Sequence, residues 1–279
     1  MTNDLAIYGL DFSSKPSAKK PIVVAKGLIT DNVLALTQIE LLTTLRDFEQ
    51  FLLRDGPWVT GFDFPFSFPR DLIMHQHWPN TWPALMQYIR QYSRDQLKAI
   101  FKVWCDARPA GAKFAHRTID RPAGASPSMK WVNPPVAWML LEGGPRLLDA
   151  GISLPGICTG DTNRVGLEAY PGFLARQVTR ESYKSDDVSK QTTARLQART
   201  KILHTLVEGT LLGLQLDARE FETQVLTDGS GDKLDAVMCC LQAAWGWLRR
   251  HENYGLPSTM DPLEGWIVSV PALPSTGQH

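Results

Sequence analysis

Three strand-like segments crowd the start of the chain with almost nothing between them, and this limits the folds it can enter. "LAIYGLDF" (residues 5–12) is short, apolar and aromatic, with Ser13, Ser14 and Pro16 as turn residues behind it. "PIVVAKGLI" (residues 21–29) follows, then "NVLALTQIE" after the turn signal Thr30-Asp31-Asn32. Connections this short join antiparallel neighbours, because parallel strands need a long crossover. The spacing of Leu45, Phe48, Leu52 and Leu53 predicts a helix over 43–54, stopped by Asp55-Gly56-Pro57. "WVTGFDF" (residues 58–64) is then a strand reached through a helix, so it pairs in parallel.

Residues 65–160 break this alternation. They are rich in proline and tryptophan, contain helical runs such as 82–104, and carry the loop "RTIDRPAGASPSMKWVNPP". The segment reads as a largely helical insertion, because a strand, "RVGLEAY" (residues 164–170), resumes afterwards. Helices are expected over 188–208 and 232–251, the second with a wide apolar stripe from Leu234 to Leu248, and a short strand in "EGWIVSV". The expectation is therefore one α/β domain over 1–270 and a disordered tail over 271–279. Its mixed sheet has three antiparallel strands followed by parallel ones, with helices on both faces and the insertion at 65–160. This matches a ribonuclease-H-like layout; on composition alone other α/β layouts remain open.

At 279 residues and 43% hydrophobic, the chain has ample material for a core. A formal net charge of zero advertises neither nucleic acid nor membrane. No apolar run approaches bilayer length, and "MTNDLAIY" lacks a basic stretch ahead of a hydrophobic one. Cys105, Cys158, Cys239 and Cys240 show no metal-type spacing and read as reduced, buried thiols. A cytoplasmic protein with no membrane partner is expected.

Against this background the carboxylates stand out. Asp11, Asp63 and Glu168 each fall near the C-terminal end of an expected strand, the edge at which open α/β sheets bind ligands. Asp232 and Asp235 share one helix face, and Asp235 lies within "LDAVMCC", a poor place for an unpaired charge. Each also has an ordinary explanation. Asp11 or Asp63 can close a turn, Glu168 can face water, and Asp232 can cap its helix. If they converge, two unit charges 4 Å apart repel by about 4 kcal/mol at an effective dielectric of 20. Such a cluster takes up protons or holds cations, and an all-oxygen site suits Mg²⁺ or Mn²⁺. Two-metal phosphodiester hydrolysis is the chemistry that needs several acidic ligands and little else. Asp11 would bridge, Asp63 and Glu168 would flank it, and Asp235 would complete the site.

The motifs "YGLDFS", "GFDFPF", "HRTID", "SPSMKW", "LEAYPG", "YKSDD", "DKLDAVMCCLQAAW" and "EGWIVSVP" occur in this order from end to end. The pattern resembles domain of unknown function 429, a prokaryotic family of predicted ribonuclease-H-like nucleases. The resemblance implies that fold, an acidic site at Asp11, Asp63, Glu168 and Asp235, and preference for Asp235 over Asp232. It also points to Arg117, Lys130 and Lys184 as contacts for phosphate or transition-state charge.

The basic residues supply what net charge hides. From Arg90 to Arg146 ten basic residues face four acidic ones, leaving 10 − 4 = +6. Arg90, Arg94, Lys98 and Lys102 recur every four residues, as a phosphate-binding stripe or as an ordinary solvated face. His75 and His77 lack a third metal ligand nearby in sequence and read as surface or core residues. The leading expectation is a metal-dependent nuclease or phosphodiesterase acting on nucleic acid or a small phosphoester. One alternative is a sugar-kinase or actin-like ATPase, in which "DFSS" would hold Mg-nucleotide. Another is a non-catalytic scaffold that keeps the fold.

Overall fold

The computed structural model describes residues 5–272. A seven-stranded mixed sheet forms its centre. β1 (Ala6–Asp11), β2 (Ile22–Thr30) and β3 (Val33–Leu42) make the antiparallel meander, and α1 (Leu45–Leu52) leads to β4 (Trp58–Asp63). The insertion carries α2 (Arg70–His75), α3 (Trp82–Ile89), α4 (Arg94–Asp106), α5 (Asp120–Ala123) and α6 (Val136–Asp149). The short β5 (Ile152–Ser153), β6 (Asp161–Glu168), α7 (Pro171–Val178), α8 (Thr193–Glu208), β7 (Gln215–Asp217), α9 (Glu222–Thr227) and α10 (Asp232–Leu248) follow.

The strand order is β5-β6-β4-β1-β2-β3-β7, with β4 parallel to β1 and β6 parallel to β4. The β3-β2-β1-β4-β6 portion is the α/β arrangement expected of a ribonuclease-H-like sheet. Alternating side chains divide the core in two. On one face Ile7, Val59, Val165 and Leu167 pack with residues of α7, α8 and α10. On the other, Tyr8, Leu10, Trp58 and Phe62 meet α1 and the insertion helices. The insertion and α1 together cover this face of the sheet, which is why most of the insertion's tryptophans and phenylalanines are buried and the rest pack against its core.

Several expected boundaries differ. The helical run over 82–104 is two helices, because Ser93 and Gln96 form a capping box that starts α4 afresh. Arg90 therefore caps α3 rather than continuing a stripe with Arg94. Residues 188–208 split into a 3-10 turn and α8, where the Thr192 side chain accepts from the Arg195 amide. "EGWIVSV" makes only a single bridge, Glu168 to Ile267, because turns interrupt its pairing. Most of the tail expected to be disordered, residues 273–279, lies outside the described residues.

Two glycines fix where α10 sits. An ideal Cβ on Gly9 would lie 1.9 Å from the Cys240 amide nitrogen, and one on Gly61 would lie 2.4 Å from the Cys239 carbonyl oxygen. Gly9 and Gly61 are register partners in β1 and β4, so the helix backbone rests directly on a side-chain-free patch of sheet. Gly9→Ala should force the helix off this seat. The expected loss is about 2–3 kcal/mol of unfolding free energy, the upper part of the range for overpacking a core, measured by urea denaturation.

Candidate metal centre

Asp11 follows Gly9 by two residues and Asp63 follows Gly61 by two, so both carboxylates point to the α10 face. They are register partners on parallel strands, which stand roughly 4.8 Å apart. Asp235 lies one helical turn before Cys239, where α10 runs from its glycine seat towards that strand edge. Fold and site thus share one cause: the contact that admits the helix also aims its aspartate. One carboxylate oxygen from each of Asp11, Asp63 and Asp235 lies within 4.8 Å of the others.

Asp235 is wholly buried, whereas Asp11 and Asp63 are partly open to solvent. Burial is the main cause pushing all three carboxyls above the usual range, and repulsion from neighbouring carboxylates adds to it, that on Asp235 coming from Asp232. Asp63 is raised to about 7. Two features oppose this. Asp235 and Asp232 occupy the first turn of α10, whose N-terminus favours negative charge. The Tyr183 hydroxyl donates to Asp235 Oδ1 at 2.6 Å, and the Lys184 ammonium pairs with Oδ2 of the same carboxylate. Asp235 in turn holds the Lys184 ammonium well above its ordinary pKa, overcoming burial. Gly231, at φ +78°, lets Lys184 approach, since a Cβ there would lie 2.6 Å from that of Lys184.

Asp232 stands apart from the trio. It is held by Lys20 Nζ at 2.9 Å, an ammonium that also reaches Asp186. Tyr183 and Lys20 were not singled out from sequence. "YKSDD" marked the neighbourhood of Tyr183, but nothing local ties Lys20 to a helix more than two hundred residues away.

Glu168 does not join the trio. In the parallel pairing of β4 and β6 it stands opposite Phe62, not Asp63, so its side chain turns to the insertion face. There Arg117 grips it bidentately, Nη1 to Oε2 at 2.8 Å and Nη2 to Oε1 at 2.6 Å, and the Phe66 amide donates to Oε2 at 3.0 Å. Arg117 also bonds Asp120 through Nε at 3.0 Å, and all three residues are buried. Glu168, expected as a metal ligand, and Arg117, expected as a phosphate contact, are thus paired with each other, and neither joins the three aspartates in this structure. One guanidinium is shared by two buried carboxylates, and this ion-pair network ties the insertion to the sheet. Lys130 is likewise engaged locally, its Nζ bonded to the Asn133 carbonyl at 2.6 Å. Only Lys184 of the three expected basic contacts touches the trio.

The expected basic stripe is also dispersed. Arg90 pairs with Asp149 and Arg94 with Glu142. The four cysteines are free thiols, and no helix among the described residues is long and apolar enough to cross a membrane.

The donor set suits a hard divalent cation: three carboxylates, no soft ligand, and deprotonation opposed only by burial and mutual repulsion. Oxygens around a six-coordinate Mg²⁺ are separated by about 3–4 Å, so the observed spacing needs little closure. The trio can therefore hold a divalent cation. Comparison with protein-family models, with curated proteins and with solved structures gives no match to this chain.

Proposed function

We propose that the chain is a divalent-metal-dependent hydrolase of phosphodiester bonds, a nuclease of the ribonuclease-H-like kind, in line with its resemblance to domain of unknown function 429. The observation that carries this reading is the convergence of Asp11, Asp63 and Asp235 at the C-terminal edge of the sheet. A bound Mg²⁺ or Mn²⁺ would supply Lewis-acid charge and an acidified water. The protein's own part is to hold three oxygens at one point and limit their solvation. Tyr183, kept protonated by burial and by Asp235, fixes the orientation of that carboxylate. Lys184 supplies a positive charge beside the site, where it offsets the charge of a phosphoryl group. With Glu168 engaged elsewhere, three carboxylates suffice for one ion. A second would draw on Asp232 or on substrate phosphate.

One observation favours the non-catalytic scaffold instead: Lys184 already neutralises Asp235, as a resident counter-ion would. Calorimetric titration of metal-free protein with Mn²⁺ separates the two readings. Saturable binding is expected in the wild type, at least 100-fold weaker in Asp11→Asn and about tenfold tighter in Lys184→Met, where the competing cation is gone. No binding at millimolar Mn²⁺, with or without an oligonucleotide, would leave the scaffold reading standing. Heat from ATP but not from the oligonucleotide would favour the kinase-like alternative.

A further inference from the structure

A second cleft opens in the insertion, at the end of α4 and away from the three aspartates. It encloses about 600 Å³ and is lined by Asp71, His75, Trp104, Arg108, His116 and Arg121, with apolar neighbours. This is within the usual size range of small-ligand sites.

The arginines of the insertion distinguish it from the rest of the surface. Arg70, Arg90, Arg94, Arg117 and Arg146 each close on a carboxylate. Arg108 and Arg121 have no carboxylate partner among the described residues, and both line this cleft. Arg108 is held in place without being neutralised. Its guanidinium lies 3.1 Å from the centroid of the Trp104 ring, and Nη1 donates to the Trp104 carbonyl at 2.9 Å. That stacking leaves the other guanidinium donors of a pre-oriented, planar cation for a ligand.

The wall behind it is short of hydrogen-bond partners. Trp104 Nε1 and His116 Nδ1 are buried with no hydrogen-bond partner. Such orphans are uncommon and carry a desolvation cost. His75 packs its edge against Trp104 with ring centroids 5.0 Å apart. The lining thus presents two guanidinium groups against the single carboxylate of Asp71, with the Trp104 indole N–H and a ring nitrogen of His116 buried and unpartnered behind them. A lining with two uncompensated guanidinium groups is complementary to an acceptor-rich, anionic ligand.

We propose that this cleft binds a phosphate group, with Arg108 and Arg121 as its charge partners. The phosphate belongs either to a nucleic-acid backbone or to a phosphorylated small molecule. A lone phosphate fills only part of the space, so the remainder accommodates the body that carries it. This site is independent of the metal centre and does not rest on the hydrolase reading.

The test uses the full chain labelled with ¹⁵N-tryptophan, in EDTA, so that metal binding plays no part. The chain has nine tryptophans, and the Trp104 indole resonance is assigned by its loss in Trp104→Phe. Inorganic phosphate and a ten-residue oligothymidylate are titrated separately at constant ionic strength. A saturable shift of the Trp104 resonance is expected, with affinity at least tenfold weaker in the Arg108→Gln/Arg121→Gln double variant. The other indole resonances report that this variant remains folded. Tighter binding of the oligonucleotide than of inorganic phosphate identifies the backbone as the source; equal binding identifies a small phosphorylated ligand. No shift with either probe at tens of millimolar phosphate, or the same affinity in the double variant, would overturn the proposal.

Discussion

Arg117→Met should cost about 3–5 kcal/mol of folding free energy, the cost of breaking a buried ion pair from one side. The guanidinium is the shared partner of Asp120 and Glu168, and it also donates to the Glu264 carbonyl at 3.1 Å. None of these groups reaches water, so neither carboxylate left behind can be solvated. The network is also where three parts of the chain meet: the insertion, strand β6 and the segment around Glu264. That segment is anchored again by Glu264, whose carboxylate accepts from the Arg70 and Thr118 amides at 2.7 and 2.9 Å. Unfolding monitored by urea should show the loss, and the Arg117→Met/Glu168→Gln double variant should recover part of it by removing one orphaned charge. If Arg117→Met were as stable as the wild type, the insertion would not be held to the sheet by this contact. Lys is not a conservative replacement, because one ammonium cannot match the forked geometry that serves two carboxylates.

The second large effect is on the dependence of stability on pH. Asp63 has a folded pKa of about 7 against an unsupported value of 3.8. A carboxyl raised on folding binds its proton more tightly in the folded state than in the unfolded one. Its contribution is therefore fully present below about pH 4 and is lost as pH rises through about 7. At 1.36 kcal/mol per pH unit, this amounts to roughly 4 kcal/mol for Asp63 in metal-free protein. Asp11 and Asp235 act in the same direction. Thermal melts in EDTA should therefore show lower stability at pH 8 than at pH 5, and Asp63→Asn should flatten the difference. Excess Mn²⁺ should reverse the slope, since the ion needs deprotonated carboxylates and stabilises by mass action once they are available. A melting temperature that rises from pH 5 to pH 8 in EDTA would show that the aspartates are not held close together when no ion is bound.

The two groups adjoin at the C-terminal edge of the sheet, where Asp63, Arg117 and Glu168 line one pocket, but they are built from side chains on opposite faces of their strands. The meander, the parallel return through α1 and the helical insertion follow from segment lengths and turn residues, because short connections leave few choices. The placement of Asp11 and Asp63 was legible too. Each ends a strand, each follows a glycine by two residues, and a period of two puts both on the glycine face. Asp235 was legible as a charge inside an apolar helix, which only a partner or an ion makes tolerable. The capping box within 82–104 was present in the sequence as Ser93 and Gln96, but the apolar periodicity ran across it.

Glu168 stands with Arg117 and not with the aspartates for a reason the sequence does not carry. Its own strand gives it an apolar setting near a C-terminal end, as for the aspartates, and the sequence carries no record of its alignment with β4. That alignment, Glu168 opposite Phe62, is decided by how β6 docks after a long insertion, and one residue of register moves a side chain to the other face. Arg117, in a loop of the insertion, is brought to Glu168 by the same docking. Local spacing and periodicity determined which residues could face one another within a strand or helix. Only the tertiary structure decided which charges met, because strand register and insertion docking are set by packing between segments far apart in the chain.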